Sequence, residues 1–219
     1  MTLICGIDES GKGPVIGSLF IVGTLFDEKD LPILKKLGVK DSKLLPHKKR
    51  IKLAEEIYKI AKKIKIIQIT PEEVDYAVLR NDGLNLNWLE AHKTADIINA
   101  LNPDKAIIDC PSTNIRKYKE YLLNLLINKR VEMIIEHKAD KNFLECGSSS
   151  IIAKVMREEE IEKIKKKIGI DFGSGYTSDE RTQKFLKENI DKYPEIFRKS
   201  WSTYKDNIGS KSQKGLGDF

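Results

Sequence analysis

The chain has 219 residues, 40% of them hydrophobic and 7% aromatic, which suits an ordinary folded domain and excludes wholesale disorder. Lys and Arg outnumber Asp and Glu by 39 to 33, a net charge of +6 that permits a basic patch for a polyanion without requiring one. No apolar run is long enough to span a bilayer and the N-terminus lacks a secretory pattern, so a cytosolic location with no membrane partner is expected.

An apolar strand is expected from Leu3 to Asp8, stopped by Ser10-Gly11-Lys12-Gly13-Pro14, and a second from Leu19 to Leu25 that pairs with it. Pro46 to Lys62 has helical spacing, with Leu53, Ile57, Ile60 and Ala61 on one face. A strand follows at Ile64 to Ile69, then a helix opened by Thr70 as N-cap and Pro71 at its first position. Another helix spans Leu86 to Leu101, ended by Asn102-Pro103. Ala106 to Asp109 reads as a short buried strand, Thr113 to Asn128 as a helix and Val131 to Glu136 as a strand. A long helix from Ser148 to Lys167 leads to the glycine-rich loop Gly169 to Tyr176. Short helices are expected at Asp179 to Asn189 and near Pro194 to Phe197, before a polar tail from Asn207. Strands first, then strands alternating with helices, point to an α/β domain with a mixed sheet.

Cys5, Cys110 and Cys146 are odd in number, scattered and in no Cys-x-x-Cys pattern, which argues for reduced structural thiols rather than disulfides or a zinc site. The 33% of charged residues, dominated by Lys and Glu beside many Ile, lean toward a heat-adapted source. His47, His92 and His137 are isolated, with no His-x-x-x-His pattern, and read as structural.

Three expected strand ends carry carboxylates: Asp8 with Glu9, Asp109, and Asp140 just beyond Glu136. Sites of open α/β sheets gather at such ends, and strands about 5 Å apart let their acids converge. The glycine-rich break after Glu9 is expected to let both Asp8 and Glu9 reach one crevice. Converging carboxylates need cations, and an all-oxygen donor set suits Mg²⁺ or Mn²⁺, two of which can clamp a phosphodiester under attack. The same segment nearly spells the phosphate loop G-x-x-x-x-G-K-S/T from Gly6 to Lys12. It fails at Gly13, where the hydroxyl that binds Mg²⁺ is missing, and Asp8 and Glu9 would put negative charge inside a phosphate cradle.

Six segments in order resemble ribonuclease HII of the archaeal type. They are Gly6-Ile-Asp-Glu-Ser-Gly-Lys-Gly-Pro-Val-Ile-Gly17, Val39-Lys-Asp-Ser-Lys-Leu44, Ile108-Asp-Cys-Pro-Ser112, Glu136-His-Lys-Ala-Asp140, Ser150-Ile-Ile-Ala-Lys-Val155 and Phe172-Gly-Ser-Gly-Tyr-Thr-Ser-Asp179. The resemblance implies a ribonuclease H-like α/β domain, a mixed sheet flanked by helices with a helical C-terminal extension, over residues 1–205, and a flexible tail at 206–219. It makes Asp8, Glu9, Asp109 and Asp140 the metal-binding catalytic acids for two Mg²⁺ or Mn²⁺ ions. Gly11, Lys12 and Gly13 would contact the ribose 2′-hydroxyl and a phosphate, Lys43 a phosphate, and Tyr176 the sugar 3′ of the cut. The implied reaction cuts RNA in RNA/DNA hybrids, and duplex DNA 5′ of an embedded ribonucleotide, leaving 5′-phosphate and 3′-hydroxyl ends.

Ser10 and Lys12 depart from the family's usual Ala and Arg toward ribonuclease HIII, which leaves HIII-like specificity for RNA/DNA hybrids as an alternative; Gly147 stands where the family has a serine. Gln213, Leu216 and Phe219 fit the short box that docks on the sliding clamp, PCNA, with the last two as apolar anchors. A non-catalytic clamp-tethered adaptor is the alternative from another class, and a broken acid set would mark it. A related nuclease acting on DNA junctions is a third, opposed by Gly11 to Gly13 and Tyr176. A monomer is expected.

Overall fold

The computed structural model describes residues 2–39, 45–79 and 84–214, with side chains through residue 208. Among them are five strands, β1 (Leu3–Ser10), β2 (Leu19–Asp27), β3 (Lys63–Ile69), β4 (Lys105–Asp109) and β5 (Glu132–Glu136). The helices are α1 (Leu31–Lys36), α2 (His47–Ile60), α3 (Pro71–Leu79), α4 (Leu86–Leu101), α5 (Ile115–Leu125), α6 (Ala139–Asn142), α7 (Leu144–Ile168), α8 (Glu180–Asn189) and α9 (Ser202–Lys214). The strands form one sheet in the order β3-β2-β1-β4-β5. β1 runs antiparallel to β2 and parallel to β4, and β4 is parallel to β5. This is the mixed sheet flanked by helices that the sequence implied. No described helix is long and apolar enough to cross a membrane.

The chain divides into two compact units, one of Met1–Ser10, Phe20–Gln68 and Asn85–Met156, the other of Gly11–Leu19, Ile69–Leu84 and Arg157–Phe219. The first unit is built on the sheet, and both sheet faces are covered, which is why β2 is buried at every position. Strand residues alternate between faces. Thr24 of β2 faces α7, its hydroxyl donating to the Glu145 carbonyl at 3.1 Å. Its neighbour Gly23 faces α4, where an added Cβ would lie 2.2 Å from Ile97 Cγ2. Val22 and Phe26, on the Thr24 face, join Leu53, Ala54 and Ile57 of α2 and Ile151, Ile152 and Val155 of α7 in one apolar cluster.

The second unit has its own core, in which Phe172, Phe185, Phe197 and Tyr204 pack with Val15, Ile16 and Ile161. Phe172 and Phe185 lie 5.2 Å apart between ring centroids. α3 opens as its sequence indicates, with Thr70 and Glu73 exchanging side-chain-to-backbone hydrogen bonds of 3.2 and 2.9 Å. α8 is capped by Asp179, which accepts from Arg181 N at 3.0 Å. α9 continues to Lys214, past Asn207, where the composition reads as a polar tail. Polar composition alone does not separate a solvated helix from an irregular one, and no proline interrupts the stretch.

Candidate active site

β1 and β4 run in parallel register with Ile7 opposite Ile108, so the next residues along, Asp8 and Asp109, lie side by side, Asp109 as the last residue of β4 and Asp8 near the end of β1. Asp140 sits in the first turn of α6, just beyond β5. The turn between β5 and α6 is made by Lys138, whose φ of 62° is uncommon for a residue with a Cβ. Its backbone N–H donates to Asp109 Oδ1 at 2.8 Å. One carboxylate oxygen each from Asp8, Asp109 and Asp140 lie within 4.8 Å of one another.

Asp8 shares the sheet face of Gly6 and so meets α7. Ser150 donates to its carboxylate, and Lys154 donates in turn to the Ser150 hydroxyl at 2.5 Å. Burial raises the Asp8 carboxyl to about 7, and the charge of Asp109 adds to it against the pull of Ser150, the Glu9 N–H and Lys154. Such a group is short of positive charge. A divalent cation would supply it, and an oxygen-only donor set at this spacing fits a hard ion such as Mg²⁺ or Mn²⁺.

Glu9 lies outside this group of three. The strand stays regular through Ser10, which pairs with Phe20, and the glycine break begins only at Gly11. Glu9 is half-buried, and its charge adds to burial and to Glu90 in raising the Tyr118 hydroxyl.

In the second unit, Gly11 has φ of +95°, a conformation that favours glycine, and an added Cβ there would lie 2.7 Å from the Ser18 carbonyl. Lys12 is half-buried and Gly13 exposed. The ring of Tyr176, 37% exposed, lies beside Gly13, 3.6 Å from where a Cβ would stand. Val15 N donates to Gly175 O at 2.9 Å, tying the loop that carries Tyr176 to the one that carries Gly13. Arg157 stacks on the Tyr176 ring at 4.6 Å and donates to Ser174 O at 2.6 Å.

The family model for ribonuclease HII matches residues 5–204. The chain belongs to the ribonuclease HII family. Ribonuclease HII of Pyrococcus furiosus is 41% identical over 99% of this chain and 97% of its own length. The crystal structure of ribonuclease H2 from Pyrococcus horikoshii OT3 superposes with a TM-score of 0.86 at 37% identity, covering 95% of this chain and 98% of that one. The PCNA:RNase HII complex from Archaeoglobus fulgidus matches at a TM-score of 0.82 and 40% identity, over 91% of this chain and 95% of its counterpart. As a ribonuclease HII, the chain is a hydrolase, an endoribonuclease of RNA/DNA hybrids.

Lys43, Leu216 and Phe219 lie outside the described residues, and Gln213 falls in the last turn of α9. Gly147, where the family has a serine, packs closely: a Cβ there would stand 3.0 Å from the backbone oxygen of Asp140. The three cysteines are buried thiols in no disulfide, as structural thiols should be. Ser150 and Lys154 entered the sequence reading only as part of a family segment. Arg157 and Arg198 did not enter it, because an arginine among many surface cations carries no local mark of burial.

Proposed function

We propose that this ribonuclease HII hydrolyses RNA/DNA hybrids and cuts duplex DNA on the 5′ side of an embedded ribonucleotide, with two divalent ions, Mg²⁺ or Mn²⁺. The observation that carries the reading is the convergence of Asp8, Asp109 and Asp140 at adjoining strand and helix ends. Asp8, Asp109 and Asp140 would hold the ions, with Glu9, next to Asp8 in the chain, as the fourth acid. When bound, the ions would activate the attacking water and neutralise the leaving 3′-oxygen. Lys154 and Ser150 hold the Asp8 carboxylate in one orientation.

Gly11, Lys12 and Gly13 contact the ribose 2′-hydroxyl and its phosphate through backbone groups, and a 2′-hydroxyl is what separates RNA from DNA at one sugar. Tyr176, held by Arg157, lies against the sugar 3′ of the cut, and Lys43 and Lys12 contribute phosphate contacts that position the duplex. The complete acid set and the Tyr176 loop favour this reading over a binding adaptor.

The deciding measurement is cleavage of a DNA duplex with one embedded ribonucleotide, with Mg²⁺ or Mn²⁺ and with EDTA. A metal-dependent cut 5′ of that ribonucleotide is expected. Cleavage confined to long hybrids would instead mark HIII-like specificity, and no cleavage of either would favour the adaptor.

The tail supports a second, separable assignment. Gln213, Leu216 and Phe219 fit a clamp-docking box, and a relative from A. fulgidus was solved bound to PCNA. The protein acts as a cytoplasmic monomer delivered to DNA by the clamp. Deleting residues 213–219 is expected to weaken clamp binding at least about tenfold, since apolar anchors dominate such contacts. Unchanged affinity in a titration of clamp against the shortened chain would refute the assignment.

A further inference from the structure

Arg198 has no exposed surface and is among the largest fully buried side chains of the molecule. A buried guanidinium persists only where its donors are satisfied, and here its partners fall on one short stretch of chain. Nε donates to Gly17 O at 3.0 Å, Nη1 to Lys12 O at 2.8 Å and Nη2 to Gly11 O at 2.5 Å. Three residues on, Trp201 Nε1 donates to Gly13 O at 3.0 Å. The carbonyls of Gly11, Lys12 and Gly13 are thus all tied to one segment.

That segment is itself fastened. The buried carboxylate of Asp75 accepts from Lys199 N and Ser200 N, both at 2.8 Å, and from the Ser200 hydroxyl at 2.6 Å. Arg198 also stacks on Trp201 at 5.0 Å, so its plane is fixed as well as its end. Burial brings its pKa down to about 10, which leaves it protonated at neutral pH.

We propose that Arg198 is a positioning residue for ribose recognition: it locks the Gly11–Gly13 loop into one conformation, and Trp201 completes the lock. The inference rests on the reading of that loop as the 2′-hydroxyl sensor. A site rejects a substrate lacking one hydroxyl only if its own polar groups cannot relax into other bonds. A glycine-rich loop left to itself would relax, since glycine opposes few backbone changes. The planar fork of arginine reaches three carbonyls at once, whereas a lysine ammonium on a flexible stem is a point donor without that geometry.

The test uses the full chain with Mg²⁺, comparing wild type, Arg198→Lys and Trp201→Phe on a duplex with one embedded ribonucleotide and on the all-DNA duplex. Thermal melting of each protein monitors folding. Phosphate contacts dominate nucleic-acid affinity, so KM should change little while kcat falls. Arg198→Lys is expected to lose about 10- to 100-fold in kcat, the scale of hydrogen bonds from a charged group. Trp201→Phe, which keeps an aromatic ring and loses one neutral bond, should lose roughly three- to tenfold in kcat.

A folded Arg198→Lys with wild-type kcat on the ribonucleotide substrate overturns the proposal. If that variant does not fold, an unchanged kcat in Trp201→Phe overturns it instead. A wild type that cuts the all-DNA duplex as readily as the ribonucleotide duplex removes the sensor reading itself, and the proposal with it. Ribonucleotide preference in the wild type with unaltered variants removes the lock alone.

Discussion

Asp8→Asn is expected to lose cleavage by on the order of a thousandfold or more, the several kcal/mol that a catalytic ion contributes, while hybrid binding persists. The same change should make the ion-free protein more stable at pH 8. Burial, aided by Asp109, raises the Asp8 carboxyl from 3.8 in the unfolded chain to about 7 in the folded one. Between those values the folded state holds the proton more tightly. Stability from this group is therefore greatest below about pH 4 and declines as pH rises toward 7. Above about pH 7 the whole penalty is present, at most about 4 kcal/mol.

Asparagine carries no charge to desolvate, so the variant should melt about 5 to 10 °C above the wild type at pH 8 without ions. At pH 4 the two should melt close together. Adding Mn²⁺ should raise the wild-type midpoint by mass action, about 2.7 kcal/mol at a hundredfold excess over Kd, and leave Asp8→Asn nearly unmoved. Melting curves at the two pH values, with and without Mn²⁺, check all of this. Near-normal turnover in Asp8→Asn would remove Asp8 from the site, and identical ion-free midpoints at pH 8 would mean that its carboxyl ionises normally.

Asp8 and Asp109 were legible because each is marked locally, and Asp140 because it follows closely on the strand ending at Glu136. An apolar run ending in an acid and then a glycine or proline is a strand end by composition, and strand ends of α/β sheets are where sites form. The cap of α3 was legible for the same reason, since Thr70 acts within three residues of itself. Glu9 does not join the three within 4.8 Å, because the pairing of Ser10 with Phe20 keeps β1 regular past it and the glycine break begins only at Gly11. α1 and α6 are too short to show periodicity, and α6 starts from a left-handed Lys138 that no propensity rule anticipates. Arg198 was beyond reach altogether, as its bond to Gly11 O spans 187 residues. In sequence it is one cation beside Lys199, indistinguishable from a solvated one.

Gly6 presents a conflict between local preference and packing that a single substitution resolves. In mid-strand, glycine is weaker than alanine by roughly 0.5 to 1 kcal/mol, so Gly6→Ala would stabilise β1 if local preference decided. Packing opposes it. A Cβ on Gly6 would stand 2.0 Å from the carbonyl carbon of Glu145 and 2.3 Å from the amide nitrogen of Cys146. These are backbone atoms of α7, not the ends of flexible side chains. The helix is also held against the strand, by Ser149 Oγ on Gly6 O at 2.7 Å and Cys146 Sγ on Ile7 O at 3.1 Å. To accept the methyl, α7 would have to withdraw and break those bonds, and Ser150 and Lys154 would move away from Asp8 with it. Gly6→Ala should therefore cost about 3 kcal/mol or more and lower the melting midpoint by roughly 6 to 12 °C. Turnover should fall even at temperatures where the variant stays folded. A midpoint equal to or above that of the wild type would mean that α7 withdraws freely, and the close contact would then not be what sets Ser150 against Asp8.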